Sequence, residues 1–249
     1  MMYRRLIATL LLAFVSRIVF SPFFGHPWDM YIWFKSGELA LSNINIYLME
    51  NPVDYPWGFY AYPPTWLYWL VIVAMVGRLI ENLYFTVFMI KLPIILSDIL
   101  TGFVIFRIGK MLGYGEKKAF TISCIWLFNP VTFFISSIWG MFDSIAVLFM
   151  VAALSSILDR RYTRAGVLTG IGISVKLLPA LLIPPSIIYL IKFKLERRWK
   201  VLANLLIIPS VIFLLFSLPF LTTPIQYLTH ILQHAESVGT FTYWTALSA

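Results

Sequence analysis

The chain has 249 residues, of which 60% are hydrophobic, 17% aromatic and only 12% charged. A soluble globular domain carries about 25% charged residues, so this chain has too few charges to cover a water-exposed surface, and it is too apolar to be disordered. The class that remains is an all-α polytopic membrane protein, in which the net charge of +8 indicates orientation rather than nucleic-acid binding.

Clusters of Lys and Arg separate the apolar runs and predict how the chain is threaded. Such clusters are enriched in cytoplasmic loops. If all of them are cytoplasmic, the chain must cross the membrane an even number of times between one cluster and the next. The chain then crosses the membrane seven times, with its N-terminus in the cytoplasm and its C-terminus outside. The predicted spans are 6–24, 83–106, 119–138, 144–158, 165–178, 179–191 and 201–221.

A long first outer loop, 25–82, separates the first two predicted spans. Its apolar run 64–76 begins beside two prolines and is rich in Trp and Tyr, which are typical of the membrane interface. We therefore expect 64–76 to be an interfacial or re-entrant segment, and we expect 30–41 to form an amphipathic helix. The segment 222–249 follows the last span on the outer side, and the whole chain is interpreted as a single membrane domain.

Charged side chains inside apolar runs cost about 2.5–3.5 kcal/mol each at mid-membrane and mark candidate functional sites. Arg17 and Lys91 lie seven and eight residues from the outer ends of their spans, and Lys176 lies at the outer turn of its predicted hairpin. Three cations at similar depth favour a site for a lipid phosphate group. The alternative is that Arg17 and Lys91 extend to the interface and that Lys176 caps the hairpin. For Asp98 we expect a structural role, paired with a charge on another helix.

Two carboxylates flank the predicted spans on the outer side. Asp29 follows the first span in the string HPWDMY, which begins at His26. A carboxylate at the membrane surface among aromatic side chains is suited to act as a general base toward a hydroxyl. The alternative for Asp29 is to cap the helix that follows it, and Asp143 has the same two interpretations before the span 144–158.

Four groups of residues, in order along the chain, carry a resemblance to a known family. They are YAYPPTWL from Tyr60, KLPIILSD from Lys91, WLFNP from Trp126 together with SSIWGMFDS from Ser136, and GISVKLLP from Gly172. Their order and spacing resemble the GT-C glycosyltransferases that use polyprenyl-phosphate sugars, especially the GPI mannosyltransferase I type and its archaeal and bacterial relatives. The resemblance extends over most of the chain.

The resemblance implies a GT-C-like core and a membrane enzyme whose first outer loop holds the catalytic carboxylate. It also implies a dolichyl- or polyprenyl-phosphate donor carrying a hexose, usually mannose. Asp29 matches the acidic position of that loop, but Pro27 stands where the Asp-x-Asp pattern of the GPI enzyme has its first acid. Because family members usually continue with further spans, we expect a truncated or split reading frame.

From these residues we predict an inverting transfer of the hexose to a hydroxyl of a lipid- or glycan-linked acceptor on the outer or luminal face. Asp29 is the predicted general base, and the cations Lys176, Lys91 and Arg17 are predicted to stabilise the departing phosphate. The residues expected to orient the substrates are Asp143, His26, Tyr62 and Trp139.

The predicted reaction requires no cofactor, although a divalent metal is compatible with it. The expected partners are the polyprenyl-phosphate sugar, the acceptor and membrane lipids, and nucleic acid is not among them. The protein would lie in the cell membrane of a prokaryote or in the ER membrane of a eukaryote. The competing interpretations are a transporter or lipid flippase, since intramembrane charges and broken helices also mark transport sites, and an inactive fragment of a split glycosyltransferase.

Overall fold

The computed structural model describes residues 2–48, 60–192 and 198–240, and every regular element in these ranges is helical. The α-helices are α1 (Met2–Phe20), α2 (Pro27–Leu41), α3 (Pro64–Ile80), α4 (Leu83–Met111), α5 (Glu116–Leu127), α6 (Pro130–Phe133), α7 (Asp143–Leu158), α8 (Tyr162–Val175), α9 (Ile183–Lys192), α10 (Arg198–Ser217) and α11 (Pro224–Thr240). A π-helix follows α6 at Phe134–Trp139, and short 3-10 helices lie at Ile46–Leu48, Leu178–Leu182 and Leu218–Phe220.

Parts of three predicted segments lie outside the described residues. They are 49–59 of the first outer loop, 193–197 before the last predicted span, and 241–249 at the end of the C-terminal segment.

Helices occupy the predicted spans, and one of these spans is broken. In the predicted span 119–138, α5 ends at Leu127, and the π-helix follows after a bend of 45°. The break has a local cause, because Pro130 is the first residue of α6 and disfavours helical conformation in the residue before it. The side chain of that residue, Asn129, caps the new helix by accepting a hydrogen bond from the backbone N–H of Val131.

Two described helices, Leu83–Met111 and Trp199–Phe220, are long and apolar enough to cross a membrane. The bent pair Glu116–Leu127 and Pro130–Trp139 is a third candidate if it forms one span. The apolar helices Pro64–Ile80 and Asp143–Leu158 are shorter than the roughly 20 residues that usually cross a bilayer. These elements are consistent with a membrane protein, and the arrangement of seven crossings stays a prediction.

The helix α8 packs closely on both α7 and α10. A Cβ atom on Gly170 would lie 2.9 Å from the Cα of Pro209 and 2.9 Å from the Cβ of Ile212. A small residue is therefore required at this contact, as is common where helices approach closely in membrane proteins. The contact fixes the direction of α8, whose C-terminal end carries Lys176.

The predicted outer loop contains α2 and α3, which pack against each other. Their aromatic side chains join an extensive apolar cluster, in which Trp33, Trp66 and Phe142 are fully buried. Trp33 meets Trp66 and Phe142 edge to face, with centroids 6.1 and 5.2 Å apart, and Trp66 stacks on Phe142 at 4.9 Å. This cluster attaches the loop to the start of α7, so the loop is a packed part of the fold.

A buried ion pair joins α1 to α4. The Nη2 atom of Arg17 lies 2.8 Å from Oδ2 of Asp98, and both side chains are 0% exposed. Arg17 also donates to the carbonyl oxygen of Leu127 at 2.9 Å, and the Ser136 hydroxyl donates to Asp98 at 3.1 Å. The pair therefore also holds both halves of the broken helix.

Removing one partner of this pair should destabilise the protein more than removing both. Asp98→Ala leaves the Arg17 guanidinium buried without its counter-charge, which costs about 3–5 kcal/mol for a buried pair. Arg17→Met combined with Asp98→Leu removes both charges, and we expect it to unfold closer to the wild-type temperature. Thermal unfolding of the purified protein in detergent measures both effects.

The half-exposed pair of Arg107 and Asp159 provides the control. Arg107→Met removes one partner where solvent screens the other, and we expect an effect of about 0–1 kcal/mol. Equal melting temperatures for Asp98→Ala and the double variant would show that the uncompensated charge is not the cause.

Candidate active site

Six of the predicted site residues come together at the ends of five helical segments. They are His26 and Asp29 at the start of α2, Tyr62 just before α3, Trp139 at the end of the π-helix, Asp143 at the start of α7 and Lys176 just after α8. Side-chain contacts join them in two groups, His26 with Asp29 and Trp139, and Tyr62 with Lys176 and Asp143.

Asp29 is held against the end of the π-helix. The indole Nε1 of Trp139 donates a hydrogen bond to Oδ2 of Asp29 at 2.5 Å, and Nδ1 of His26 lies 3.1 Å from the same oxygen. The rings of His26 and Trp139 stack with centroids 5.0 Å apart, and the backbone N–H of His26 donates to the carbonyl of Trp139 at 3.0 Å. The position of Asp29 therefore depends on the π-helix as well as on its own helix.

Asp29 is not the cap of α2. His26 occupies that position, and its Nδ1 accepts from the backbone N–H of Asp29 at 3.4 Å. Pro27 is the first residue of the helix, where its fixed φ angle and missing N–H are tolerated. The Asp29 side chain is 18% exposed, and its second oxygen, Oδ1, has no hydrogen-bond donor among the described residues. This oxygen is therefore available to accept a proton.

Asp143 and Lys176 form an ion pair between the start of α7 and the end of α8. Phe142 is the cap residue of α7 and provides no side-chain hydrogen bond, so Asp143 pairs with Lys176 instead of capping its helix. The side chains of Lys176 and Asp143 are 22% and 34% exposed. The ammonium of Lys176 lies 5.5 Å from the ring centroid of Tyr62 and 5.6 Å from that of Phe142, which are favourable cation–π distances.

Tyr62 contacts the ammonium of Lys176, and its phenol is influenced by both carboxylates. Burial raises the pKa of its phenol well above the usual value, and the negative charges of Asp143 and Asp29 raise the pKa further. The phenol therefore stays neutral at physiological pH. Trp139, which donates a hydrogen bond to Asp29, lies only four residues before Asp143, so Asp29 and the Asp143–Lys176 pair form one candidate site.

Lys91 is separate from this partly exposed group. Its side chain is fully buried, and its ammonium donates to the carbonyl oxygens of Ser21, Phe24, Ser137 and Ile138 at 3.1, 2.5, 2.7 and 3.0 Å. An ammonium has three donors, so these carbonyls occupy all of them. The structure thus brings neither Lys91 nor Arg17 into the group around Lys176.

A sharp turn joins the π-helix to α7. Gly140 has a φ of +88°, and a Cβ at this position would lie 2.9 Å from Cε of Lys91. Glycine is therefore required both by the backbone conformation and by the space. The sequence interpretation missed the π-helix, whose signal is the string SSIWGMFDS with its glycine just after Trp139; π-helical segments are frequent at functional sites.

No group of three or more His, Cys, Asp or Glu side chains within the described ranges is arranged to hold a metal ion. The polar groups of the site are instead two carboxylates, one ammonium, one imidazole, one indole and one phenol. This set is suited to proton transfer and to binding of an anionic substrate.

Comparison with known proteins identifies similar sequences. GPI mannosyltransferase 1 of Saccharomyces cerevisiae is 30% identical over 145 residues, which are 58% of this chain and 33% of the relative. GPI mannosyltransferase 1 of Debaryomyces hansenii is 26% identical over 189 residues, 73% of this chain and 44% of the relative. The GPI alpha-1,4-mannosyltransferase I catalytic subunit of Danio rerio is 28% identical over 102 residues, 41% of this chain and 26% of the relative.

The chain thus spans less than half the length of these relatives. No solved structure has significant similarity to it. The sequence profile of Glycosyltransferase family 87 matches residues 60–249, which include Tyr62, Asp143 and Lys176 but not Asp29. Since this match covers well over half of the chain, the protein belongs to glycosyltransferase family 87.

Proposed function

We propose that this protein is a membrane glycosyltransferase that moves mannose from a dolichyl- or polyprenyl-phosphate donor to a hydroxyl of a lipid- or glycan-linked acceptor. The observation that carries the proposal is that the hydrogen bond from Trp139 holds Asp29 at the turn that leads, four residues later, to the Asp143–Lys176 pair. A base and a fixed cation are thereby available at one site. The family membership supports glycosyl transfer, and the relatives named GPI mannosyltransferase 1 support mannose as the sugar.

Asp29 is the proposed general base. The indole of Trp139 donates to its Oδ2, while Oδ1 has no donor among the described residues. Oδ1 takes the proton of the acceptor hydroxyl as its oxygen bonds to the anomeric carbon of the donor sugar. The bond between that carbon and the phosphate oxygen breaks on the opposite side, its electron pair leaves with the lipid phosphate, and the sugar configuration inverts.

Lys176 is the proposed ligand of the donor phosphate. Its ammonium is paired with Asp143 and partly exposed, so donors remain for a phosphate oxygen. A fixed cation at this position stabilises the negative charge that develops on the leaving phosphate. Asp143 orients Lys176, and the neutral phenol of Tyr62 is suited to orient a sugar hydroxyl.

Arg17 and Lys91, which were expected to share the phosphate with Lys176, have contacts that favour a different role. Both are fully buried and their donors are used by acceptors of the protein. We propose that they support the backbone that carries His26 and Trp139.

The proposed reaction takes place on the outer or luminal side of the membrane. Lys176 follows the C-terminal end of α8, while the cluster of Arg160, Arg161 and Arg164 lies at its start. If that basic cluster is cytoplasmic, the site lies at the opposite, outer end of the helix. The donor is then an outer-leaflet lipid, the N-terminus is cytoplasmic and the C-terminus is outside.

The arrangement of charges favours an enzyme over a transporter or flippase. Transport sites lie near the bilayer midplane, between inverted repeats. Asp29, Asp143 and Lys176 instead lie at or just beyond the ends of α2, α7 and α8. An inactive fragment of a split enzyme is distinguished by the transfer assay below.

Asp29→Asn should abolish transfer without affecting expression or donor binding. The amide keeps the size of the side chain but does not accept a proton, and loss of a general base costs about 10²–10⁴-fold in rate. Membranes containing the chain are incubated with an acceptor-lipid extract and with radiolabelled dolichyl-phosphate mannose or glucose, and the labelled product is counted.

Glu38→Gln, on the same helix nine residues after Asp29, is the matched control and should keep wild-type transfer. More than a few per cent of activity in Asp29→Asn would exclude Asp29 as the base. Label that crosses the membrane without becoming attached to an acceptor would favour transport, and no transfer by the wild type would favour an inactive fragment.

Lys176→Gln should weaken donor use, because it removes the proposed counter-charge of the phosphate. We expect a loss of about 10²–10³-fold in kcat/KM for the donor, with partial recovery in Lys176→Arg, which keeps the positive charge. Initial rates as a function of donor concentration measure both variants. Lys118→Gln, which neutralises an exposed lysine of α5, should leave the rates unchanged; an equally large loss in Lys176→Arg would contradict a role based on charge.

A further inference from the structure

A cavity lies at the opposite end of α8 from the candidate active site. It has a volume of about 760 Å³ and lies between the starts of α8 and α10. Four of its lining side chains are cationic, namely Arg160, Arg161, Arg164 and Lys200, and none of the described lining residues is acidic. Because α8 has 14 residues, the cavity is separated from Lys176 by roughly 20 Å along the helix axis. It is therefore distinct from the proposed donor site.

The backbone around the cavity also favours an anion. Arg161, the residue before α8, forms no side-chain capping bond, so the first N–H groups of the helix lack that partner. The positive end of the helix dipole adds to the four cationic side chains.

The surroundings of the cavity indicate that this anion is part of a lipid. The cavity lies at the N-terminal end of the candidate span Trp199–Phe220, and Trp199 is highly exposed there, as is common at the membrane interface. Beyond it, Ile207 and Val211 of α10 are exposed apolar side chains. Val167 adds an apolar side chain to the cavity wall itself. A ligand with an anionic head and apolar chains fits this surface better than a soluble anion does.

We propose that this cavity binds the phosphate head group of an anionic phospholipid. The arginines and Lys200 contact the phosphate, and the acyl chains lie along the exposed face of α10. Basic cavities between membrane helices are suited to such head groups. Since the lipid would bind the folded protein only, it would also stabilise it.

The test measures lipid binding and does not depend on transferase activity. The purified chain in a non-ionic detergent is titrated with phosphatidylglycerol, with phosphatidylcholine and with inorganic phosphate, and native mass spectrometry and thermal unfolding record binding. We expect saturable binding of phosphatidylglycerol and a higher melting temperature, with little effect of phosphatidylcholine. Binding of inorganic phosphate at the same concentrations as phosphatidylglycerol would overturn the lipid assignment in favour of a soluble anion.

Arg160→Gln combined with Arg164→Gln should weaken phosphatidylglycerol binding by at least about tenfold, because two basic contacts are lost. Lys117→Gln combined with Lys118→Gln removes the same charge from the start of α5, outside the cavity, and should change the affinity less than twofold. Equal losses in the two double variants would overturn the proposal, since they would indicate attraction by net charge alone.

Discussion

The need to satisfy buried positive charge shapes the centre of this protein. Lys91 is surrounded by the carbonyl oxygens of Ser21 and Phe24, after α1, and of Ser137 and Ile138, in the π-helix. An unpaired ammonium in a low-dielectric interior is very costly, and carbonyls near helix ends lack helical partners. The Lys91 ammonium therefore provides hydrogen-bond donors for carbonyl oxygens of both segments and fixes the position of one segment relative to the other. This in turn positions His26 and Trp139.

Exposure separates two classes of charge in this fold. The Arg17–Asp98 pair is completely buried within the helices, whereas Asp29 and the Asp143–Lys176 pair are partly exposed at helix ends. Buried charges that are paired with an opposite charge are suited to holding structure, because removing one partner is costly. Partly exposed charges with unused donors or acceptors can exchange a protein contact for a substrate contact, which a catalytic site requires.

The departure from the Asp-x-Asp pattern has a structural explanation. Pro27 begins α2, so the position of the first acid is used to start a helix. A second carboxylate, Asp143, is nevertheless close to the site, because it lies four residues after Trp139, which donates a hydrogen bond to Asp29. The family profile covers Asp143 and Lys176 but begins after Asp29. The part of the site in α7 and α8 thus lies within the region that matches the family profile.

The sequence by itself determined most of the helices and identified the charged residues within apolar runs. Apolar runs, prolines and basic clusters are local features, and the length of a bilayer crossing and the cost of a buried charge constrain them directly. The prediction that Arg17, Lys91 and Lys176 form one cluster rested only on their similar predicted depth below the outer membrane surface. Only the tertiary structure decided the partners, since Asp98 is 81 residues from Arg17 and the carbonyls around Lys91 are 46 to 70 residues away. A local sequence pattern does not indicate which distant group is the partner of a buried charge. The partners distinguish Arg17 and Lys91, which are buried within the fold, from Lys176, which lies in the candidate site.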